Sequence, residues 1–139
     1  VEEHTMAALV NIEGIGEKYA GHLADARIGT TQALLKRGAT RAGRKEIAKL
    51  AAVTPKQILK WVNRADLFRV RGVGEEYSDL LEASGVDTVP ELARRDAGNL
   101  LEKMAAVNHR RHLVRRLPPL SDVTRWIAEA KSLPRVVEY

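Results

Sequence analysis

The sequence predicts an all-α fold, and three observations carry that expectation. No stretch sustains the period-two alternation of apolar and polar residues that a half-buried strand needs. Aromatic residues make up only 4% of the chain against an apolar fraction of 45%. The core must therefore come mainly from Leu, Val, Ile and Ala, a set that suits packed helices better than sheets. Helix start and stop residues also punctuate the chain at short intervals.

The elements follow in order. Thr5–Asn11 reads as the end of a helix, and Gly14-Ile15-Gly16 as a tight turn. Glu17–Arg27 places Tyr19, Ala20, Leu23 and Ala24 at the spacing of one helix face. Thr30 can cap a short helix through Lys36, closed by Gly38, and Thr40 can cap another through Ala52. Thr54-Pro55 is a cap followed by proline at the first helical position, opening a helix to about Leu67. Further on, Gly85 ends a helix, Asp96 can cap the next, and Ser121 the last. Only Arg69-Val70-Arg71 separate the helix ending near Leu67 from Gly72, too little for a flexible linker.

With 139 residues, the chain suits one domain or two very small units sharing a core. Cysteine is absent, which excludes disulfides, thiolate metal sites, Cys nucleophiles and iron–sulfur ligation. No run approaches the ~20 apolar residues of a bilayer span. Val1–Val10 lacks a signal-peptide pattern, so a cytoplasmic location is expected and no membrane partner.

The net charge of +5 is unevenly spread. Val1–Arg69 holds 12 Lys/Arg and 7 Asp/Glu, Val70–Glu102 holds 3 and 8, and Lys103–Tyr139 holds 8 and 3. Basic flanks can attract phosphate. Such blocks can equally neutralise one another or form a solvated surface.

The strongest signal is internal. IEGIGEKYAGHLADARIGTTQALLKRG at Ile12–Gly38 aligns without gaps, at an offset of 58, with VRGVGEEYSDLLEASGVDTVPELARRD at Val70–Asp96. Both glycines, the following Glu, Tyr19/Tyr77, Leu23/Leu81, Thr30/Thr88, Leu34/Leu92 and Arg37/Arg95 are identical. A looser echo pairs Leu50–Val53 with Met104–Val107, and Ile58–Val62 with Val123–Ile127. Two homologous units result, Val1–Arg69 and Val70–Tyr139.

The shared motif is apolar–x–Gly–apolar–Gly–x–x–aromatic–x–x–x–Leu. The first glycine permits backbone angles closed to other residues. Ile15 or Val73 pins the turn to the core. The second glycine presents unhindered N–H groups at a helix start, where the dipole favours an anion such as a backbone phosphate. No base edge is read by such a contact, so it is indifferent to sequence.

These residues resemble the helix-hairpin-helix motif of DNA repair, recombination and replication proteins. The "IGTTQALL" and "VDTVPELA" continuations also look like theirs. Nearly the whole chain is similar to a family called domain of unknown function 4332, made of paired units of this kind. The resemblance implies two tandem helix-hairpin-helix-type units packed as one compact helical body. It also implies that the hairpin glycines and a basic residue two positions after the second glycine approach phosphate. Gly14, Ile15, Gly16 and Lys18 match that pattern. Gly72, Val73 and Gly74 match the hairpin, but the basic position is Glu76, beside Glu75. Those carboxylates repel phosphate, offset in part by Arg71. The second hairpin is thus either a weaker site or structural only, and Glu13 and Glu17 flank even the first.

His109–Arg116 is the densest basic stretch. Continued as a helix, it would set Arg111, His112, Arg115 and Arg116 on one face able to grip phosphates. The alternative is pairing with the acidic block Glu75–Asp96. Arg41, Lys45 and Lys49 form a second basic stripe, most simply a solvated face. His109 and His112 lack further ligands at metal spacing, and the neighbouring arginines repel a cation. His22 reads as a partly buried histidine rather than a base. Trp61/Trp126 and Tyr19/Tyr77, being equivalent in the two units, read as core anchors. Gly85-Val86-Asp87 differs in spacing from the catalytic segment of helix-hairpin-helix glycosylases, the matching lysine is absent, and a capping role for Asp87 or Thr88 accounts for it. No phosphate-binding P-loop, carboxylate cluster at metal spacing or nucleophile-with-base pattern occurs.

The functional expectation is a non-enzymatic, cofactor-free module that binds DNA backbone without sequence preference, through Gly14, Ile15, Gly16, Lys18, Gly72, Val73, Gly74, Arg71, Arg111 and Arg115. The alternative is a protein-interaction or scaffold module on the same fold.

Overall fold

The computed structural model describes residues 9–12 and 14–139. These form a 3-10 turn, Leu9–Asn11, and eight α-helices: α1 Glu17–Asp25, α2 Thr31–Arg37, α3 Arg41–Ala51, α4 Pro55–Leu67, α5 Glu75–Ala83, α6 Val89–Ala93, α7 Ala97–Arg111 and α8 Leu120–Ser132. No strand occurs among the described residues. Residues 5–8 of the expected first helix, and Glu13, lie outside them.

Local chemistry accounts for most boundaries. The Thr30, Thr40 and Asp96 side chains accept from Ala33, Gly43 and Asn99 N–H at 3.0, 3.0 and 2.9 Å, each satisfying an orphan amide of the first turn. Thr54 does the same for Gln57 at 3.1 Å, and Pro55 opens α4. Gly85, at φ +94, follows the end of α5.

Two expectations are corrected. The cap of α8 is Pro119, not Ser121: the backbone at Pro119 is extended, and Leu120 already begins the helix. The basic stretch is not one helix either. α7 stops at Arg111, His112 turns left-handed at φ 51, and its N–H closes on Asn108 O at 2.8 Å. The Asn108 side chain then holds the departing chain, accepting from Val114 N–H at 2.9 Å and donating to Val114 O at 3.1 Å. Arg115 and Arg116 therefore sit on a loop, and no helical face joins them to Arg111.

The chain divides into two compact units, Val1–Asp66 with Arg135–Tyr139, and Leu67–Pro134. The last five residues group with the first unit. In the first unit α1 and α2 pack on α3. Ile15, Leu23, Ile28, Leu34, Ile47 and Trp61 are buried. The terminal segment buries Val137 and donates Glu138 N–H to Ala39 O at 2.7 Å. The Arg44 guanidinium, itself only 4% exposed, donates to the carbonyls of Gly38, Ala39 and Glu138 at 2.8, 3.1 and 2.5 Å. Burial, and then the nearby Arg41 charge, push the Arg44 pKa below its ordinary value.

In the second unit α5 packs on α7, and both α6 and α7 on α8. Its core runs from Leu67 through Leu81, Leu92, Met104 and Trp126 to Ala130.

Candidate functional site

The two glycine turns have nearly the same geometry. Gly14 and Gly72 take φ +93 and +92, a region that strains any residue with a side chain. Ile15 N–H donates to Ile12 O, and Val73 N–H to Val70 O, each at 3.0 Å. Ile15 and Val73 are buried and anchor the turn from beneath. The space a Cβ would take on Gly14 lies 3.2 Å from Trp61 Nε1, and that on Gly72 lies 3.1 Å from Trp126 Nε1. Tyr19 leans on Trp61 with ring centroids 5.5 Å apart at 51°, and Tyr77 on Trp126 at 5.3 Å and 52°. Both tryptophans are 1% exposed, as core anchors must be. Their Nε1 groups have no hydrogen-bond partner among the described residues.

The likeness extends past the following helix. Ile28 N–H bonds Leu23 O and Val86 N–H bonds Leu81 O, both at 2.8 Å, with Arg27 and Gly85 left-handed just before. Arg37 and Arg95 reach back to Ala26 O and Ser84 O, at 2.8 and 3.5 Å.

Gly16 and Gly74 cap α1 and α5 in extended conformation, and neither cap makes a side-chain bond to the helix. Open space surrounds the position of a Cβ on either one. The first-turn amides of α1 and α5 have no intrahelical acceptor by construction, and glycine supplies no capping side chain to stand over them. That is the physical requirement for an anion cradle.

The surrounding charges distinguish the turns. At the first, Lys18 is exposed, with Nζ 5.8 Å from the Tyr19 ring centroid and no ion pair among the described residues. Gln57 Nε2 stands 3.9 Å from the Gly14 Cβ position. At the second, Glu75 and Glu76 occupy the first turn of α5 and are exposed. Arg71 is exposed and its backbone is engaged on both sides: its N–H donates to Glu129 Oε1 at 3.1 Å, and its carbonyl accepts from Arg125 Nη1 at 3.2 Å. Arg125 Nη2 pairs with Asp122 Oδ1 at 3.3 Å and lies 3.5 Å from the Gly72 Cβ position. Sequence reasoning missed Arg125 and Glu129. The looser alignment of Val123–Ile127 with the first unit held the clue, since that segment carries Arg125 beside Trp126 and ends two residues before Glu129.

Arg111 and Arg115 are exposed, as are Arg110, Arg116, His109 and His112, and none of the four arginines forms a salt bridge among the described residues. Within the acidic block, Glu91 meets Arg94 and Arg95 at 3.7 and 3.5 Å. His109, Arg110 and Arg111 also stand in the last turn of α7, where positive charge complements the helix dipole.

Other candidates take structural places. His22, half-buried, donates Nδ1–H to Ala51 O at 3.0 Å and ties α1 to the end of α3. Thr88, not Asp87, caps α6, accepting from Glu91 N–H at 3.1 Å. An open groove of about 370 Å³ along α7 is lined by Asn99, Glu102, Lys103, Ala106, Val107 and Arg110, with no nucleophile beside a base. Among the described residues no group of three or more His, Cys, Asp or Glu side chains could hold a metal, and no helix is long and apolar enough to cross a membrane.

Residues 6–133 match the family described as Domain of unknown function (DUF4332). The chain belongs to this family. The DUF4332 match spans both glycine turns and all eight helices, so both turns fall within the family's common region. Comparison with curated proteins and with solved structures returned no match.

Proposed function

We propose that this chain is a non-enzymatic module that holds the phosphate backbone of DNA without reading its sequence. In this reading the paired turns are the hairpins of two helix-hairpin-helix units. The observation that carries it is the uncapped start of α1 behind Gly14–Gly16, open above Gly16 and flanked by the exposed Lys18. Arg111 and Arg115 add exposed guanidinium groups free of carboxylate partners among the described residues. Arg71 belongs to the same phosphate-facing set, while Gly72, Val73 and Gly74 repeat the backbone geometry in a more acidic setting.

The test is a salt titration of duplex-DNA binding by fluorescence anisotropy, begun at low ionic strength. The parent should bind, with log affinity falling by ~0.9 per phosphate contact for each log unit of salt. Lys18→Glu and the pair Arg111→Glu/Arg115→Glu should each weaken binding and flatten the slope. Superimposable curves for all three proteins, or no binding at low salt, would favour the second reading. That reading is a protein-interaction or scaffold module, and the exposed Glu75 and Glu76 at the second turn favour it.

A further inference from the structure

We propose that the segment leaving α7 is a preformed surface for the DNA phosphate backbone, held in shape by the Tyr77 hydroxyl. This rests on the DNA-binding reading above, but it needs neither glycine turn. Between the aligned parts of the two units, the first has four residues, 54–57, and the second has fifteen, 108–122. Arg110, Arg111, Arg115 and Arg116 all lie in that extra length, and no Asp or Glu stands between Glu102 and Asp122. All four arginines are exposed, and none forms a salt bridge among the described residues.

A connection that only joined α7 to α8 would not need fixing, yet this one is fixed along its length. The Asn108 side chain takes both the N–H and the carbonyl of Val114, at 2.9 and 3.1 Å. Arg115 therefore follows a residue bonded to the turn that carries Arg110 and Arg111. Val114 and Pro118 are buried, Leu113 and Leu117 half-buried, and Arg115 and Arg116 fall between these apolar pairs with their side chains outside. Tyr77, its ring packed on the buried Trp126, donates Oη–H to Arg116 O at 3.1 Å. Every polar anchor is made to the main chain, so no guanidinium is spent in holding the loop. The dipole of α7 offsets charge only in its last turn, and Arg115 and Arg116 lie past it. Like charges fixed together without a carboxylate oppose folding, and a polyanion relieves that repulsion. Guanidinium groups bind phosphate through paired N–H donors and read no base in doing so.

The test compares Arg115→Gln, Arg116→Gln and Arg94→Gln in duplex-DNA anisotropy titrations over a range of salt. Each removes one exposed positive charge, but Arg94 lies outside the segment, paired with Glu91. Arg115→Gln and Arg116→Gln should each weaken binding on the order of tenfold at about 50 mM salt and reduce the salt slope by ~0.9, the share of one phosphate contact. Arg94→Gln should change the slope by less than about half as much. Tyr77→Phe keeps the ring and deletes the hydroxyl. It should weaken binding roughly two- to tenfold at an unchanged slope, because the contacts remain and the loop must be ordered on binding. A purely structural hydroxyl would instead lower the urea midpoint and leave the affinity of the folded variant at the parent value, which overturns the positioning role. Slopes for Arg115→Gln and Arg116→Gln no lower than that of Arg94→Gln overturn the surface. If Lys18→Glu weakens binding while these two do not, the surface fails alone. A parent that binds no DNA at low salt overturns the surface and the broader reading together.

Discussion

Alanine at the two glycines of one turn should have unequal consequences for stability, and the contrast separates folding from ligand approach. Gly14→Ala places a side chain at φ +93, at a cost of about 1–2 kcal/mol for the left-handed backbone. The new methyl would also stand 3.2 Å from Trp61 Nε1. Trp61 is 1% exposed and backed by Tyr19, so it yields little, and crowding adds about 1 kcal/mol. Alanine lowers unfolded-chain entropy, which returns about 0.4–1 kcal/mol. The net expectation is a loss of about 1–2.5 kcal/mol in urea denaturation, and Gly72→Ala should match it through Trp126. Gly16→Ala and Gly74→Ala occupy extended backbone with open space around the Cβ. Their small capping loss is offset by the same entropy term, so stability should stay within about 0.5 kcal/mol of the parent. The reasoning is refuted if Gly14→Ala is as stable as the parent, or if Gly16→Ala loses as much as Gly14→Ala.

Two further outcomes follow from buried or capping bonds. Arg44→Ala removes donors to three carbonyls, two of them in the loop before α3 and one in the terminal segment, and should cost about 2–4 kcal/mol in urea denaturation. Arg44→Lys should fall between it and the parent. Thr30→Ala and Thr88→Ala, the caps of α2 and α6, should each cost about 1 kcal/mol by the same assay.

Much of the fold was legible because its boundaries are set by local chemistry. Thr30, Thr40, Thr54-Pro55 and Asp96 act within three or four residues of themselves, so their roles can be read from the string of letters. The errors arose where a distant or competing bond decides the outcome. Asn108 fastens Val114 and His112 turns left-handed, which ends α7 inside a stretch whose composition favours helix. Pro119 leads into α8 ahead of the better capping residue Ser121. Val137 and Arg44 join the terminal segment to the first unit across a sequence separation of 94 residues, which no local pattern announces. At the candidate site the glycines, buried apolar residues and aromatics were legible from their repetition. Arg125 and Glu129 were not, because the helix that brings them to the second turn lies beyond an insertion that breaks the alignment.

The matched turns also locate where function must be sought. Gly14 and Gly72 are required by φ and by the tryptophan packed against them, whether or not any ligand binds. Their presence therefore supports the fold equally well in a DNA-binding protein and in a scaffold. Gly16 and Gly74 are different, since neither φ nor neighbouring atoms exclude a side chain there. What a methyl group would obstruct at those positions is approach from outside to the first-turn amides. A stability-neutral Gly16→Ala that still weakens DNA binding would consequently tie the turn to a ligand in a way that damage at Gly14 cannot. The same substitution at Gly74 should weaken DNA binding less, because the exposed Glu75 and Glu76 make that turn the poorer phosphate site in the proposed reading. Equal losses at the two positions would mean that backbone shape outweighs the surrounding charge.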